Sequence, residues 1–342
     1  MSHKHAPKQA NKIDSGTSRT STPKSTTLPD GDSQQIQSFF PFATYTSIVG
    51  VHTTLLLFSS LFLPRRPLPI LPEYTTTYAF NAADDPRLQT NRLTENPFRT
   101  AVWICIGTLI LQIWWASWIR RWSLDTRDLS KAGKVYNAAV EVTEQKLQRQ
   151  TWNSGKLAAF WTACLSTLVG SFGFAALAML FGAPLYSHWP HTYALGLLVS
   201  LLTVFTPAYT LGAPSLNSDV VSYVTRLTWI RLFVELSPRS PVERAVVYPA
   251  VGAILGCWTG AIPAGLDWEE PWQASLYPHL HRWPLTTSYG AVGGFVVGSL
   301  MALGVSAVEN LAHLGRLSQE DSSSLKGAHK SQGKMSKKPK PQ

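Results

Sequence analysis

Charge is missing from most of the middle of this chain. Six runs contain no Asp, Glu, Lys or Arg: Ala43 to Leu63, Ala101 to Trp118, Leu157 to Phe181, Tyr193 to Gly212, Ala245 to Leu266 and Ser288 to Val308. At ~1.5 Å of rise per residue, each is long enough to cross most or all of a ~30 Å hydrocarbon layer. An apolar run of about ten residues would suit the core of a soluble domain, but six runs near the full spanning length exclude that class. The expected fold is all-α: a polytopic membrane protein whose six transmembrane helices occupy residues 38–315.

Chemistry-bearing patterns are just as scarce. The chain has three cysteines, Cys105, Cys164 and Cys257. All lie inside the charge-free runs, where they can form neither a loop disulfide nor a CxxC metal site. There is no HExxH, no GxSxG and no phosphate-cradling glycine loop. The sequence therefore assigns no catalytic residue, no cofactor and no metal site. The polar connections at 64–100, 182–192 and 267–287 are shorter than the ~50 residues that a separate domain usually needs.

What is present sits at the ends and between the runs. Residues 1–37 and 316–342 are rich in Lys, Ser, Gln and Pro and read as disordered tails. They bring the mean hydropathy of an otherwise greasy chain to zero. With six spans both termini share a side, and that side collects 24 of the 30 Lys and Arg residues. Such an asymmetry places both termini in the cytosol, although Arg65 and Arg66, just after the first run, oppose it locally. The net charge of +10 is thus an expression of topology, and no RNA-binding motif accompanies it, so nucleic acid is excluded as a partner.

Two cytosolic connections carry helical patterns. "KVYNAAVEVTEQKLQRQ" is rich in helix formers and reads as an extension of the third span. "SDVVSYVTRLTWIRLFVEL" has Ser218 as a candidate N-cap and apolar residues near helical spacing, which predicts an interfacial helix on the bilayer. A seventh span is disfavoured there by Asp219, Arg226, Arg231 and Glu235, each costing ~2.5–3.5 kcal/mol near the bilayer centre.

The strongest packing signal lies in the last two spans. Gly252, Gly256 and Gly260 recur every fourth residue in one, and Gly290, Gly294 and Gly298 do so in the other. That spacing strips side chains from one face of each helix and permits close backbone approach. The two faces serve either to pack on each other or to receive helices of a partner, and the sequence leaves both uses open. Tryptophans gather at run ends: Trp114, Trp115, Trp118 and Trp122 at one, Trp189, Trp268, Trp272 and Trp283 at the other, the pattern of interfacial belts. His52 is the one histidine inside a charge-free run and reads as a hydrogen-bonded neutral ring.

Carboxylates cluster once, in "AIPAGLDWEEPWQ", where Asp267, Glu269 and Glu270 follow the fifth run and precede His279 and His281. Such groups can act as acid, base or metal ligand when they converge. Adjacent and flanked by Pro271, however, Glu269 and Glu270 have the layout of residues facing water at a helix exit.

At these residues the chain resembles the PIG-F family of glycosylphosphatidylinositol (GPI) anchor biosynthesis. The resemblance is carried by Gly260, Ala261 and Pro263, by Leu266, Asp267 and Trp268, by Pro271, Trp272 and Gln273, by the Trp283–Pro284 pair, and by the glycine-rich last span. It departs from the family pattern in the longer segment "ASLYPHLHR". The resemblance implies an endoplasmic-reticulum membrane protein that binds and stabilises the ethanolamine-phosphate transferases acting late on the GPI precursor. Catalysis would belong to those partners, and contact of this chain with the GPI lipid is left open. Lys338 and Lys340, five and three positions from the end of the sequence, have the spacing of a dilysine retrieval signal. Two other functions remain to be separated from this one: a lipid phosphotransferase in its own right using Asp267 and Glu270, and a lipid translocator. The absence of Asp, Glu, Lys and Arg from every span counts against the latter.

Overall fold

The charge-free runs are helices, as a lipid environment requires of any segment that must satisfy its own backbone hydrogen bonds. The computed structural model describes residues 42–65, 96–132, 138–183, 189–215, 217–265 and 284–335, and among these there is no strand. Helix α1 is Phe42–Phe62 and ends in a 3-10 turn, Leu63–Arg65. Helices α2 (Pro97–Ala132) and α3 (Ala138–Leu180) both extend beyond their apolar spans. Helix α4 covers Trp189–Leu211. Helix α5 (Val220–Trp229) follows, then α6 (Pro241–Gly265) and α7 (Leu285–Met335). All but α5 are long and apolar enough to cross a membrane.

The fourth span is the hub. In its most apolar window 83% of residues are buried, against 22% to 44% in the other five, so α4 is the helix that the others enclose. Leu195, Leu198, Leu201 and Leu202 meet Leu56 of α1, Ile104 of α2, Ala253 of α6 and Phe295 of α7 in one apolar cluster. Polar side chains on α4 find partners at the same depth. Ser200 Oγ donates to Thr167 O of α3 at 2.7 Å, and Thr206 Oγ1 donates to Gln112 Oε1 of α2 at 2.7 Å. Gly196 of α4 lies against the backbone of α3 at Ser171 and Ala175, and Gly170 of α3 makes room for the side chains of Ser200 and Val204, which lets these helices approach closely.

Helix α4 is not uniform. Its middle, Leu201–Phe205, is a π segment, and regular helix resumes at Thr206–Leu211. Pro207 lies just beyond and has no N–H to give to the preceding turn, a mismatch that the wider π turn absorbs. Gly212, at φ 93°, then ends the helix.

Three sequence expectations change here. Asp219, not Ser218, occupies the N-cap position of α5, and its side chain makes no capping bond. The backbone past residue 315, expected as a tail, continues as helix to Met335 through a segment free of proline. The tryptophans of α2 are not simply a headgroup belt. Trp115 and Trp122 are buried, packed with Tyr45, Val49, Ile119 and Val246 into a core at the arginine-bearing end of the bundle.

Candidate functional site

The glycine faces of α6 and α7 meet. A methyl group built on Gly256 would lie closer than 3.0 Å to Gly290 O and would sit 2.8 Å from Gly294 Cα. One on Gly252 would meet Gly294 O and Gly298 Cα, and one on Gly260 would meet Thr286 O and Thr287 Cα. From the other side, Gly290 faces Gly256 and Gly260, Gly294 faces Gly252 and Gly256, and Gly298 faces Tyr248 and Pro249. The register is continuous over three turns. Each glycine Cα–H thus points at a carbonyl oxygen of the opposite helix, the geometry of interhelical Cα–H···O contacts. Of the two uses left open by the sequence, packing within the chain is the one realised. The six glycines are consequently not a vacant surface for the helices of a second protein, because each face already covers the other.

Charged groups lock the same pair at the arginine-bearing end. Arg244 of α6 pairs through both terminal nitrogens with Glu309 of α7, its Nη1 donating to Oε1 at 2.9 Å. Arg231, from the π segment Ile230–Val234 that continues α5, pairs with Glu243 of α6. Glu243 also accepts from Ser240 N at 3.3 Å, and Ser240 Oγ accepts from Glu243 N at 3.2 Å. With Pro241 between them, this is a reciprocal capping box that starts α6. The pattern Ser-Pro-Val-Glu announced it in the sequence, whereas nothing there indicated that Arg244 and Glu309 would be neighbours. Arg120 of α2 donates from Nη1 to Tyr209 O at 2.9 Å and lies over the Tyr209 ring, tying α2 to the end of α4.

At the opposite end, Tyr289 Oη of α7 donates to Ser60 O of α1 at 3.1 Å, and Pro284 is buried at the entry to α7. Gly260 beside Thr286 and Thr287 brings α6, five residues before its end, against the first turn of α7. Asp267, Trp268, Glu269, Glu270, Pro271, Trp272, Gln273, His279, His281 and Trp283 lie outside the described residues, as do Lys338 and Lys340, and Pro263 is placed only as part of the α6 backbone.

His52 is buried between α1, α2 and α7. Its ring stacks on Trp115 with centroids 4.8 Å apart and meets the edge of Phe295 at 5.6 Å, while neither ring nitrogen has a partner. The expected hydrogen bond is absent, and stacking is what holds the imidazole. Gln112 is likewise buried, with Nε2 unpartnered while Oε1 accepts from Thr206.

What this arrangement does chemically is to fix helices against each other. Among the described residues no three His, Cys, Asp or Glu side chains come together. The outward surfaces are apolar: Val51, Leu55 and Phe58 on α1, Leu165, Val169 and Phe172 on α3, Leu255 and Trp258 on α6, Val297 and Met301 on α7. They suit lipid chains or the spans of another membrane protein.

Comparison with known proteins places this architecture. A Pyricularia oryzae protein named Glycosylphosphatidylinositol anchor biosynthesis protein 11 is 36% identical over 135 residues, 40% of this chain and 42% of that protein. A human protein named GPI ethanolamine phosphate transferase, stabilizing subunit, is 29% identical over 149 residues, 44% of this chain and 59% of that protein. A Neurospora crassa protein with the same name as the first is 30% identical over 158 residues, 46% of this chain and 49% of that protein. The chain thus spans about half the length of these relatives. No solved structure matches it. The family described as GPI biosynthesis protein family Pig-F matches residues 85–303, well over half of the 342, and the chain belongs to that family.

Proposed function

We propose that this protein is a non-catalytic membrane subunit that binds and stabilises ethanolamine-phosphate transferases adding ethanolamine phosphate to mannose of the GPI precursor. The observation that carries this reading is the family match over residues 85–303, together with the human relative whose name is that of a stabilising subunit of such a transferase. The geometry agrees with it: a well-filled helix bundle, apolar outside, has much to offer to the membrane helices of a partner. The proposed location is the endoplasmic-reticulum membrane, with both termini in the cytosol and Lys338 and Lys340 as a retrieval signal.

In this reading the glycine-locked α6–α7 pair is a rigid base for the motif segment 266–283. Asp267, Trp268, Pro271, Trp272, Gln273 and Trp283 are presented on the luminal side as the contact with the transferase, and Pro284 starts the return helix. The partner thereby reads the glycines indirectly, through the placement of the segment that they brace.

The experiment is co-purification of the transferase from membranes. Asp267→Asn combined with Trp272→Ala should lower the yield of transferase while leaving insertion and bundle stability unchanged. Gly256→Leu should lower both. Undiminished complex in the motif variant would remove the assigned contact. Transfer of ethanolamine phosphate by the isolated chain, abolished by Asp267→Asn, would replace the accessory role with a catalytic one.

A further inference from the structure

The geometry points to α5 and its π continuation as a membrane anchor: we infer that the outward face of Val220–Val234 is embedded in the lipid leaflet at the arginine-bearing end of the bundle. No residue of α5 itself is buried. Val220, Val224, Leu227, Ile230 and Val234 recur at helical spacing and are 46% to 75% exposed. The opposite face is the one held by the protein. Trp229 Nε1 donates to Gly212 O at 2.9 Å, Ser215 Oγ donates to Ser222 Oγ at 2.6 Å, and Leu232 is fully buried.

Those tethers set the depth. Gly212 directly follows the end of α4 and Glu243, the partner of Arg231, is the third residue of α6. The helix therefore lies at the level where two spans leave the hydrocarbon, with its apolar stripe turned away from the bundle. An amphipathic helix at this depth buries its apolar face among acyl chains and leaves its polar residues at the headgroups. Arg226 and Tyr223, with the guanidinium 5.9 Å from the ring centre, are of the residue types suited to that boundary. The occupant inferred is lipid, and a protein partner is the competing outcome.

The test places single spin labels on the full chain in phosphatidylcholine nanodiscs, with the three native cysteines replaced by alanine. Labels at Val224, Leu227 and Val234 should collide with oxygen in preference to a water-soluble nickel chelate. Their ratio should approach that of a label at Leu165, a lipid-facing position of α3, and depart from that of a label at Asn217. A ratio equal to that at Asn217 overturns the inference. A photoreactive benzoylphenylalanine at Val224 or Leu227, with the cysteines retained, makes the second measurement in native membranes: cross-linking to phospholipid supports the anchor, and cross-linking to a co-purifying protein overturns it.

Discussion

Gly293 and Gly294 are neighbours on α7 with opposite surroundings, and substituting each by alanine isolates the contribution of the helix contact. A methyl group on Gly294 would fall against Gly252 O, 2.8 Å from Gly256 Cα and 2.9 Å from Gly252 C, whereas one on Gly293 has nothing within 4 Å. Ordinary contact begins at 3.4 Å, so α6 and α7 would have to part by roughly 1 Å around Gly294, a gap that forfeits much of the local dispersion energy. Both changes gain the same intrinsic preference of alanine over glycine in a helix, about 1 kcal/mol. Overpacking costs ~1–3 kcal/mol and applies at Gly294 alone. Since the propensity term cancels in the comparison, Gly294→Ala should be less stable than Gly293→Ala by ~1–3 kcal/mol. Unfolding in mixed micelles at increasing denaturing-detergent fraction, followed by tryptophan fluorescence, measures that difference. Equal stability of the two variants would refute the argument that the backbone contact holds these helices.

Three further outcomes follow from particular contacts. The side chain of Arg244 is 7% exposed and that of Glu309 is 55% exposed, so removing either partner has unequal consequences. Glu309→Leu leaves the donors of a buried guanidinium unsatisfied and should cost ~1–3 kcal/mol, Arg244→Met leaves a carboxylate in water and should cost about 1 kcal/mol or less, and the same micelle unfolding assay ranks them. Trp229→Phe keeps the ring but removes the bond to Gly212 O, about 1 kcal/mol, and should accelerate amide exchange across α5 without altering that of α6. His52→Phe retains the stack on Trp115 and removes two buried, unpartnered nitrogens, so stability should be equal or higher, by up to ~2 kcal/mol; a thermal-stability measurement in detergent that finds a clear loss would reveal a partner for the imidazole.

Much of this fold is legible in the sequence because the bilayer imposes simple requirements. Absence of charge over some twenty residues locates a span: three of the six charge-free runs fall inside the spans observed, and the other three overrun theirs by one to four residues. The continuation of α3 towards Ala138 is equally readable, from helix formers alone. Glycine every fourth residue marks a face for close approach, but not what approaches. Intrachain and interchain contacts draw on the same small residues, and only the register of α6 on α7 distinguishes them.

The centrality of α4 was not legible, although its signal was present. Hydrophobicity does not separate a central span from a peripheral one, since lipid tails are as apolar as leucine. What separates them is the price of polarity. Ser200 and Thr206 can be buried at depth because Thr167 O and Gln112 accept from them, and Gly196, Ser200, Thr203 and Thr206, at helical spacing, mark a face of the span that must turn to protein. Pro207 adds to the case. A proline inside a span upsets the backbone ladder, and the resulting π segment is tolerated where neighbouring helices surround it. The misreading of Trp115 and Trp122 has the same root. Ring type and nearness to a span end suggest headgroup depth, yet the direction of the side chain around the helix decides between lipid and core. Trp115 lies three residues from Gln112 and four from Ile119, and all three turn inward with less than 2% of their surface exposed. The buried stripe on α2 was therefore encoded in spacing, with the buried amide as its marker: an amide in the middle of a span points to the protein side, and the large aromatic residues one turn away follow it.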